Sequence, residues 1–299
     1  MKLLLVGDLH ARATKPSKRL DIDFMGIVLG KMAQILAIAD KNNAFILQAG
    51  DWHNSFSPDK LLIAKEIELL VKEDINIATI HGQHDMRYHS QSSTKNSALR
   101  ILEAANCLYV LDDETWFDLA PGVAVHAAPY GREPKTKPVE SCFNILMSHV
   151  MVMNKPLYIN QSFISPPEYM TMFPGYDLYF VGDIHTPFVS KRNGLMINAG
   201  SVLRQSIDQK DYKPKVVLFD TNDKSFEDIY LDIEDNVFDE TVYAHERENK
   251  FNNMTQKLKE SGKISVNFKD NLDLHLIKNK ISKNIVDIIN ENYYNSSKE

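Results

Sequence analysis

Apolar positions follow two different periods along this chain. Short runs of aliphatic and aromatic residues bounded by glycine or asparagine are typical of buried strands. Longer segments with apolar residues three and four apart are typical of amphipathic helices. In the first half the two patterns alternate, with strands predicted at 2–6, 44–48, 76–80 and 107–111 and helices at 24–41, 60–73 and 96–105. This alternation predicts βαβ units and a mostly parallel sheet.

The second half is predicted to contain mainly strands, at 115–119, 123–127, 143–148, 178–181, 195–198, 216–219 and 226–232. A helix-rich half followed by a strand-rich half predicts an α/β fold of two sheets packed face to face, with helices outside. The composition changes near residue 233. We therefore predict one domain over 1–235 and a small C-terminal α/β module over 236–299, with helices at 239–261 and 274–293 around a strand at 263–268.

Polar side chains follow the predicted strands at the point where each strand ends, namely Asp8, His10, Asp51, Gln83, His84, Asp85, His149, Asp183 and His185. Ligands bind at the carboxyl ends of strands in α/β sheets, so these side chains are expected to converge. Carboxylates, an amide and imidazoles are the ligands that a pair of divalent metal ions requires for hydrolysis.

Composition excludes several classes of protein. The formal net charge of −6 argues against binding to nucleic acid through bulk electrostatics, although two bound cations would offset part of that charge. The two cysteines, Cys107 and Cys142, do not form a disulfide framework and are expected to be reduced thiols of a cytoplasmic protein. No apolar run approaches the roughly 20 residues that span a bilayer, so no membrane association is expected. The apolar N-terminus ends at Gly7 and is predicted to be a buried first strand rather than a signal peptide.

Five short motifs occur in the order typical of one enzyme superfamily. They begin at Asp8 (Asp-Leu-His), Gly50 (Gly-Asp), Gly82 (Gly-Gln-His-Asp), Ser148 (Ser-His) and Gly182 (Gly-Asp-Ile-His). Together they resemble the calcineurin-like metallophosphoesterases over about residues 1–235. The resemblance implies a four-layer αββα sandwich, followed here by the small C-terminal capping module.

Within that superfamily the chain looks most like the SbcD-type nuclease subunit of the double-strand-break repair complex. The features that carry this resemblance are the helix at 24–41, His53-Asn54-Ser55 after the aspartate at 51, Gly200-Ser201 followed by Arg204, and the appended module. The resemblance implies cleavage of DNA, by an exonuclease and also an endonuclease activity, in repair, recombination or degradation. It implies an SMC-like ATPase of SbcC type as a partner; a homodimer is a further expectation.

The resemblance also implies a role for each site residue. Asp8, His10 and His185 would hold one metal ion, Asp51 would bridge both ions, and Gln83, His149 and Asp183 would lie at the second. His84 would be the general acid or the group that orients the phosphate, and Asp85 would fix its tautomer. His53, Ser201 and Arg204 are candidates for contact with substrate; for His53 and Arg204 the alternative is an ordinary surface side chain.

Two residues depart from the superfamily pattern, which has asparagine at the position of Gln83 and histidine at that of Asp183. Both replacements fall on the same metal ion and both can still ligate. The aspartate favours hard ions such as Mn²⁺ or Mg²⁺. We therefore expect a retuned site with two divalent ions, Mn²⁺ first; a weakened second site is the alternative.

Three functions stay open at this point. The first is a DNA nuclease dependent on divalent metal. The second is a phosphodiesterase or phosphatase of the same fold that acts on nucleotides or other small molecules, which the acidic pI of about 5.9 favours. The third is a metal-impaired scaffold that uses the fold for binding.

Overall fold

The computed structural model describes residues 1–156, 163–191 and 194–239, and residues 1–239 form one compact unit. The strands are β1 (Lys2–Val6), β2 (Phe45–Gln48), β3 (Ile77–Thr79), β4 (Tyr109–Val110), β5 (Phe117–Ala120), β6 (Val123–Ala128), β7 (Phe143–His149), β8 (Leu178–Gly182), β9 (Phe188–Ser190), β10 (Leu195–Asn198), β11 (Lys215–Asp220) and β12 (Phe226–Tyr230). The helices are α1 (Phe24–Asn42), α2 (Lys60–Glu73), α3 (Ala98–Ala104) and α4 (Pro166–Met172).

The strands form two six-stranded sheets. The first has the order β12-β11-β1-β2-β3-β4, and its strands β1 to β4 are parallel. The second has the order β5-β6-β7-β8-β10-β9, and β6, β7, β8 and β10 are parallel. In each sheet, neighbouring parallel strands end at the same edge, so the loops that follow β1, β2 and β3 lie side by side, as do those after β7 and β8.

Successive side chains of β1 point to opposite faces of the first sheet and therefore pack in different layers. Leu3 and Leu5 of β1 belong to the core between the two sheets, together with Phe180 from β8. Leu4, between them, packs instead in a second core with Val28 and Met32 of α1. Because both faces of β1 are covered, its sequence is continuously apolar rather than alternating.

Helix ends follow the expected capping chemistry. The Asp23 carboxylate accepts a hydrogen bond from the Gly26 N–H at the start of α1, and the Asp59 carboxylate caps α2 in the same way. Helix α1 ends at Asn43 in the left-handed conformation, which asparagine tolerates better than most residues. These caps fix where the helices begin and end, and short connections then return the chain to the sheet.

The predicted α/β sandwich of two sheets flanked by helices is confirmed, with α1 to α3 on the first sheet and α4 on the second. The prediction missed β9, a three-residue edge strand, and α4. The signal for α4 was present, because Ser165 and Glu168 form a capping box ahead of a helix that begins with proline. Apart from residue 239, the predicted C-terminal helices and strand at 239–293 lie outside the described residues. Across the described part of the chain, no helix is long and apolar enough to cross a membrane.

Candidate metal centre

Five strand ends deliver the polar side chains to one place. Asp8 and Asp51 follow β1 and β2, and the Gln83-His84 pair follows β3, all in the first sheet. His149 ends β7, and Asp183 and His185 follow β8, in the second sheet. The carboxylates of Asp8 and Asp51 and the imidazole of His149 are almost completely buried. The convergence of these seven residues is what the parallel strand order requires.

The loops that carry these residues are forced into unusual backbone conformations. His10, Asp51 and Asp183 have φ of 47°, 52° and 90°, in the range that favours glycine. A Cβ on Gly82 would lie 2.1 Å from Asp51 Oδ1, and one on Gly50 would lie 2.5 Å from His149 Nδ1. Glycine therefore precedes the ligands because neighbouring loops pass too close for any side chain. Strain of this kind persists where the surrounding structure holds a functional geometry.

The first half of the centre consists of Asp8, His10 and His185. His10 Nε2 lies 2.9 Å from His185 Nε2, and His185 Nε2 lies 3.7 Å from Asp8 Oδ2. Ligand atoms of the three residues all lie within 4.8 Å of one another, close enough to hold one metal ion. This is the set that the resemblance assigned to one ion.

Asp51 lies between the two halves. Its Oδ2 is 3.7 Å from His10 Nε2 and 3.5 Å from His149 Nε2, while its Oδ1 accepts the backbone N–H of His84. A carboxylate that faces one imidazole from each half is placed as a bridging ligand must be.

The second half contains both departures from the superfamily pattern, and they contact each other. Gln83 Nε2 donates a 2.7 Å hydrogen bond to Asp183 Oδ1. That carboxylate oxygen also lies 4.0 Å from His149 Nε2. The extra methylene of Gln83, relative to asparagine, is what extends its amide towards Asp183. Because a carboxylate only accepts, the amide oxygen of Gln83 is left free to ligate.

Four atoms of the centre are buried without a hydrogen-bond partner, namely His10 Nδ1, Asp51 Oδ2, Gln83 Oε1 and His149 Nε2. Buried polar atoms are nearly always paired, so a group of unpaired ones indicates a missing ligand. All but His10 Nδ1 lie on the bridging carboxylate or the second half. Their chemistry, a carboxylate, an amide oxygen and an imidazole nitrogen, fits a divalent cation.

The electrostatics of the centre favour a cation. Burial raises the pKa of Asp8 to about 7, against the lowering effect of His149. Burial alone would lower the pKa of His149, but Asp51, Asp8 and Asp183 raise it to about 10. Burial likewise opposes the ionised form of Asp51, yet His149 and His10 bring its pKa down to about 2. A cluster of carboxylates that holds a proton this strongly on an imidazole also attracts a divalent ion.

His84 is oriented differently from the sequence prediction. Its Nδ1 lies 3.0 Å from the backbone oxygen of Asn54, and its ring meets that of His10 edge to face with centroids 4.8 Å apart. Asp85, which was predicted to fix the tautomer of His84, instead accepts the backbone N–H groups of Trp52, His53 and Gly82. The residue that orients His84 is therefore Asn54, through a main-chain carbonyl that no side-chain pattern could reveal.

His53, a candidate for contact with substrate, is buried and paired in the structure. The His53 ring is buried, and its Nε2 lies 2.9 Å from Oε2 of Glu66, a fully buried residue of α2. Glu66 also accepts the indole N–H of Trp52. The sequence prediction missed Glu66, although a signal existed, since Glu66 stands between Leu62 and Leu70 on the buried stripe of α2. A charged residue at such a position needs a buried partner.

Arg204 and Ser201 are also structural rather than exposed to a substrate. Arg204 donates to the backbone oxygens of Lys210 and Glu234, and its guanidinium lies 5.8 Å from the ring centroid of Phe238. Ser201 is buried, and its hydroxyl donates to the backbone oxygen of Leu203. Both residues stabilise the turn after β10, and neither prediction of substrate contact agrees with these contacts.

Three solved structures are similar to this chain over about the same share of its length. The protein TT1561 of Thermus thermophilus is 11% identical over 77% of this chain and 98% of that chain, with a TM-score of 0.51. A novel archaeal phosphodiesterase is 16% identical over 77% of this chain and all of its own, with a TM-score of 0.43. A 5′-nucleotidase precursor from Thermus thermophilus is 13% identical over 77% of this chain and 54% of that chain, with a TM-score of 0.42. At 11% identity the match to TT1561 indicates the fold alone. No curated protein sequence matches.

The family comparison shows more than the fold, because it matches the amino-acid sequence that contains the motifs. The model of the calcineurin-like phosphoesterases matches residues 1–187, which include all five motifs in full. These are the residues that supply every ligand of the centre described above. The chain belongs to the calcineurin-like phosphoesterase family.

Proposed function

We propose that this protein is a phosphodiesterase that uses two divalent metal ions, Mn²⁺ in the first place, to cleave DNA in repair, recombination or degradation. The observation that carries the proposal is the group of buried, unpartnered ligand atoms on Asp51, Gln83 and His149 beside the triad of Asp8, His10 and His185. When bound, the two ions would supply Lewis-acid stabilisation of the charge on the phosphoryl oxygens. The intact ligand set favours an enzyme over a metal-impaired scaffold.

The contribution of His84 follows from its contacts. A backbone carbonyl only accepts, so Nδ1 must carry the hydrogen in the contact with Asn54. The atom that exchanges a proton with a substrate is therefore Nε2, which as part of an imidazolium donates to the leaving oxygen. The His84 backbone N–H is held on Asp51 Oδ1 at 2.8 Å, so the ring keeps a fixed position relative to the bridging carboxylate.

DNA is the proposed substrate for two reasons. The SbcD-type features of the sequence favour it, and the centre is accessible, since the His185 side chain keeps 42% of its surface exposed and Gln83 and His84 are only partly buried. The competing proposal is hydrolysis of a nucleotide or another small phosphodiester, which the acidic balance of the chain favours. The SMC-like ATPase partner, the homodimer and the cytoplasmic location stay predictions of the sequence.

The decisive experiment is a matched hydrolysis assay of the full chain. Blunt and overhanging DNA duplexes, bis-p-nitrophenyl phosphate and cyclic nucleotides are incubated with Mn²⁺, Mg²⁺, Zn²⁺ or EDTA, with Asp51→Ala as the inactive control. We expect Mn²⁺-dependent DNA cleavage that EDTA and Asp51→Ala abolish. Cleavage of the small substrates alone would replace DNA by the competing proposal. Binding of a single ion with no cleavage of any substrate would establish the scaffold instead.

A further inference from the structure

One aromatic side chain near the centre is held in solvent by a strained backbone. Tyr88, four residues after His84, keeps 87% of its surface exposed. Its φ and ψ are 53° and 32°, and the next residue, His89, has φ of 55°. Two consecutive residues with a Cβ rarely adopt the left-handed conformation, and isolated instances are usually Asn, Asp or Gly. Neither the apolar core nor a relaxed turn accounts for this placement.

The segment that carries Tyr88 is tied down on both sides. The backbone N–H of Arg87 donates to Ser93 Oγ at 2.9 Å, and that of Ser90 donates to the Arg87 oxygen at 3.0 Å. The side chain of Gln91 donates to the backbone oxygen of Tyr130. The segment is therefore a fixed platform, and the exposure of Tyr88 follows from this arrangement of contacts.

Ring contacts connect this platform to the metal centre. The ring of His89 lies 5.9 Å from that of Tyr130, and the ring of Tyr130 lies 6.3 Å from that of His149. His89 directly follows Tyr88, so these ring contacts join the segment that carries Tyr88 to His149 of the centre. Along the chain, Tyr88 is four residues from His84.

The chemistry of the platform suits a nucleobase. The guanidinium of Arg87 lies 5.3 Å from the Tyr88 ring centroid, so a cation stacks on the aromatic ring. An exposed ring paired with an arginine is a platform on which bases stack while the positive charge attracts the adjoining phosphate. We propose that Tyr88, with Arg87, forms a subsite that stacks a nucleobase of the substrate strand beside the phosphate to be cleaved. This inference rests on the proposed function and specifies how its substrate is held.

Tyr230 provides a matched comparison. It is also an exposed tyrosine, with 61% of its surface accessible, but it ends the outermost strand β12 in ordinary extended backbone. No aromatic or cationic partner stacks on its ring among the described residues. An exposed tyrosine in this protein thus needs no left-handed backbone, which separates Tyr88 from a surface residue without a role.

The test measures binding without turnover. Fluorescence anisotropy in EDTA gives the Kd of a labelled 12-nucleotide oligothymidylate and of an abasic oligonucleotide of equal length, for the wild type, Tyr88→Ala, Tyr88→Trp and Tyr230→Ala. We expect Tyr88→Ala to weaken binding of the oligothymidylate by about 5- to 150-fold, the range of one lost base stack. Tyr88→Trp should retain the affinity, and Tyr230→Ala should match the wild type. Binding of the abasic strand should be the same for all four proteins.

Two outcomes would overturn the subsite, namely unchanged oligothymidylate binding by Tyr88→Ala, or an equal loss on the abasic strand. Thymidine 5′-monophosphate is then added as a competitor of the labelled oligothymidylate. Displacement would show that the platform also binds a free nucleotide. Competition as strong as that of the oligonucleotide would replace the strand by a mononucleotide as the ligand. Failure of the proposed function is a separate result, because it is the absence of DNA cleavage by the wild type in the hydrolysis assay.

Discussion

Two groups of buried polar side chains lie next to each other in this protein and differ in one respect. Around Asp51, one carboxylate oxygen and His149 Nε2 are buried and face each other at 3.5 Å, and neither makes a hydrogen bond within the geometric limits. Two residues further along the chain, His53 is equally buried, but its ring is paired with Glu66 at 2.9 Å. We refer to the whole metal centre around Asp51, with both of its halves and His84, as the open cluster, and to His53 with Glu66 as the closed cluster.

The comparison shows how to separate a residue that does chemistry from one that supports it. Burying a polar group without a partner costs free energy, so a folded protein keeps such groups where a ligand completes them. The closed cluster has its partners already, and Asp85 joins it to the loop of Asp51 through the backbone N–H groups of Trp52 and His53. We therefore expect the open cluster to determine metal binding and the closed cluster to determine stability.

Asp51→Ala should have the largest effect, because Asp51 faces both halves of the open cluster. We expect loss of both metal ions by calorimetry and a fall in kcat beyond the roughly 10⁴-fold upper limit for loss of a general acid. The variant should still unfold cooperatively in EDTA. Asp40→Ala, an exposed aspartate at the end of α1, serves as the control and should bind two ions. Retention of one tightly bound ion by Asp51→Ala would contradict the bridging role.

His84→Ala should come next and should separate catalysis from metal binding within the open cluster. Since the ring exchanges a proton through Nε2 and its backbone N–H is unaffected, we expect kcat to fall by about 10²–10⁴-fold. Both ions should still bind with near-normal affinity in the same calorimetric titration. Full activity on DNA would exclude His84 as the proton donor.

Glu66→Ala should affect stability rather than chemistry, because it leaves His53 and the Trp52 indole buried without their acceptor. Removing one partner of a buried ion pair costs about 3–5 kcal/mol of unfolding free energy. Glu66→Gln should lose less, since an amide oxygen still accepts one of the two hydrogen bonds. Glu68→Ala, an exposed neighbour on the same helix, is the control for urea unfolding. A loss of metal affinity in folded Glu66→Ala with unchanged stability would reverse the distinction between the two clusters.

The pair of Gln83 and Asp183 should give a smaller effect, on metal preference. Gln83→Asn shortens the side chain by one methylene, so the amide no longer reaches Asp183. Asp183→His replaces a hard oxygen ligand by a nitrogen ligand. We expect each single variant to weaken the second ion by about 10-fold or more and the double variant to regain affinity with Zn²⁺ favoured over Mn²⁺. Calorimetric titrations of all four proteins form a double-mutant cycle. Additive losses would mean that the 2.7 Å contact does not couple the two residues.

Sequence reasoning predicted the sandwich and a cluster of candidate ligands because both depend on short-range patterns. The strand ends, the glycines before Asp51 and Gln83, and the order of the motifs are all visible along the chain. It did not anticipate the buried partners of His53 and Asp85, since a motif does not say whether a polar side chain faces a substrate or a buried partner. It also failed for Asn54, which acts through its backbone oxygen. Such roles depend on which loops meet in three dimensions, and that information lies outside any local pattern.

We expect the smallest effect from His126, which belongs to neither cluster. It tests whether a buried histidine with hydrogen-bond partners makes the stability of the protein depend on pH. Its ring contacts Thr136 Oγ1 at 2.7 Å and Asn144 Oδ1 at 3.0 Å, and burial lowers its pKa. The unfolded chain therefore binds a proton near pH 6.5 that the folded chain does not, so stability is present above that pH and is lost as the pH falls below it. The slope from this residue is at most about 1.4 kcal/mol per pH unit. Urea unfolding at pH 7.5 and 5.5 should show a smaller loss on acidification for His126→Gln than for the wild type. Equal losses would mean that His126 is protonated in the folded protein as readily as in the unfolded chain.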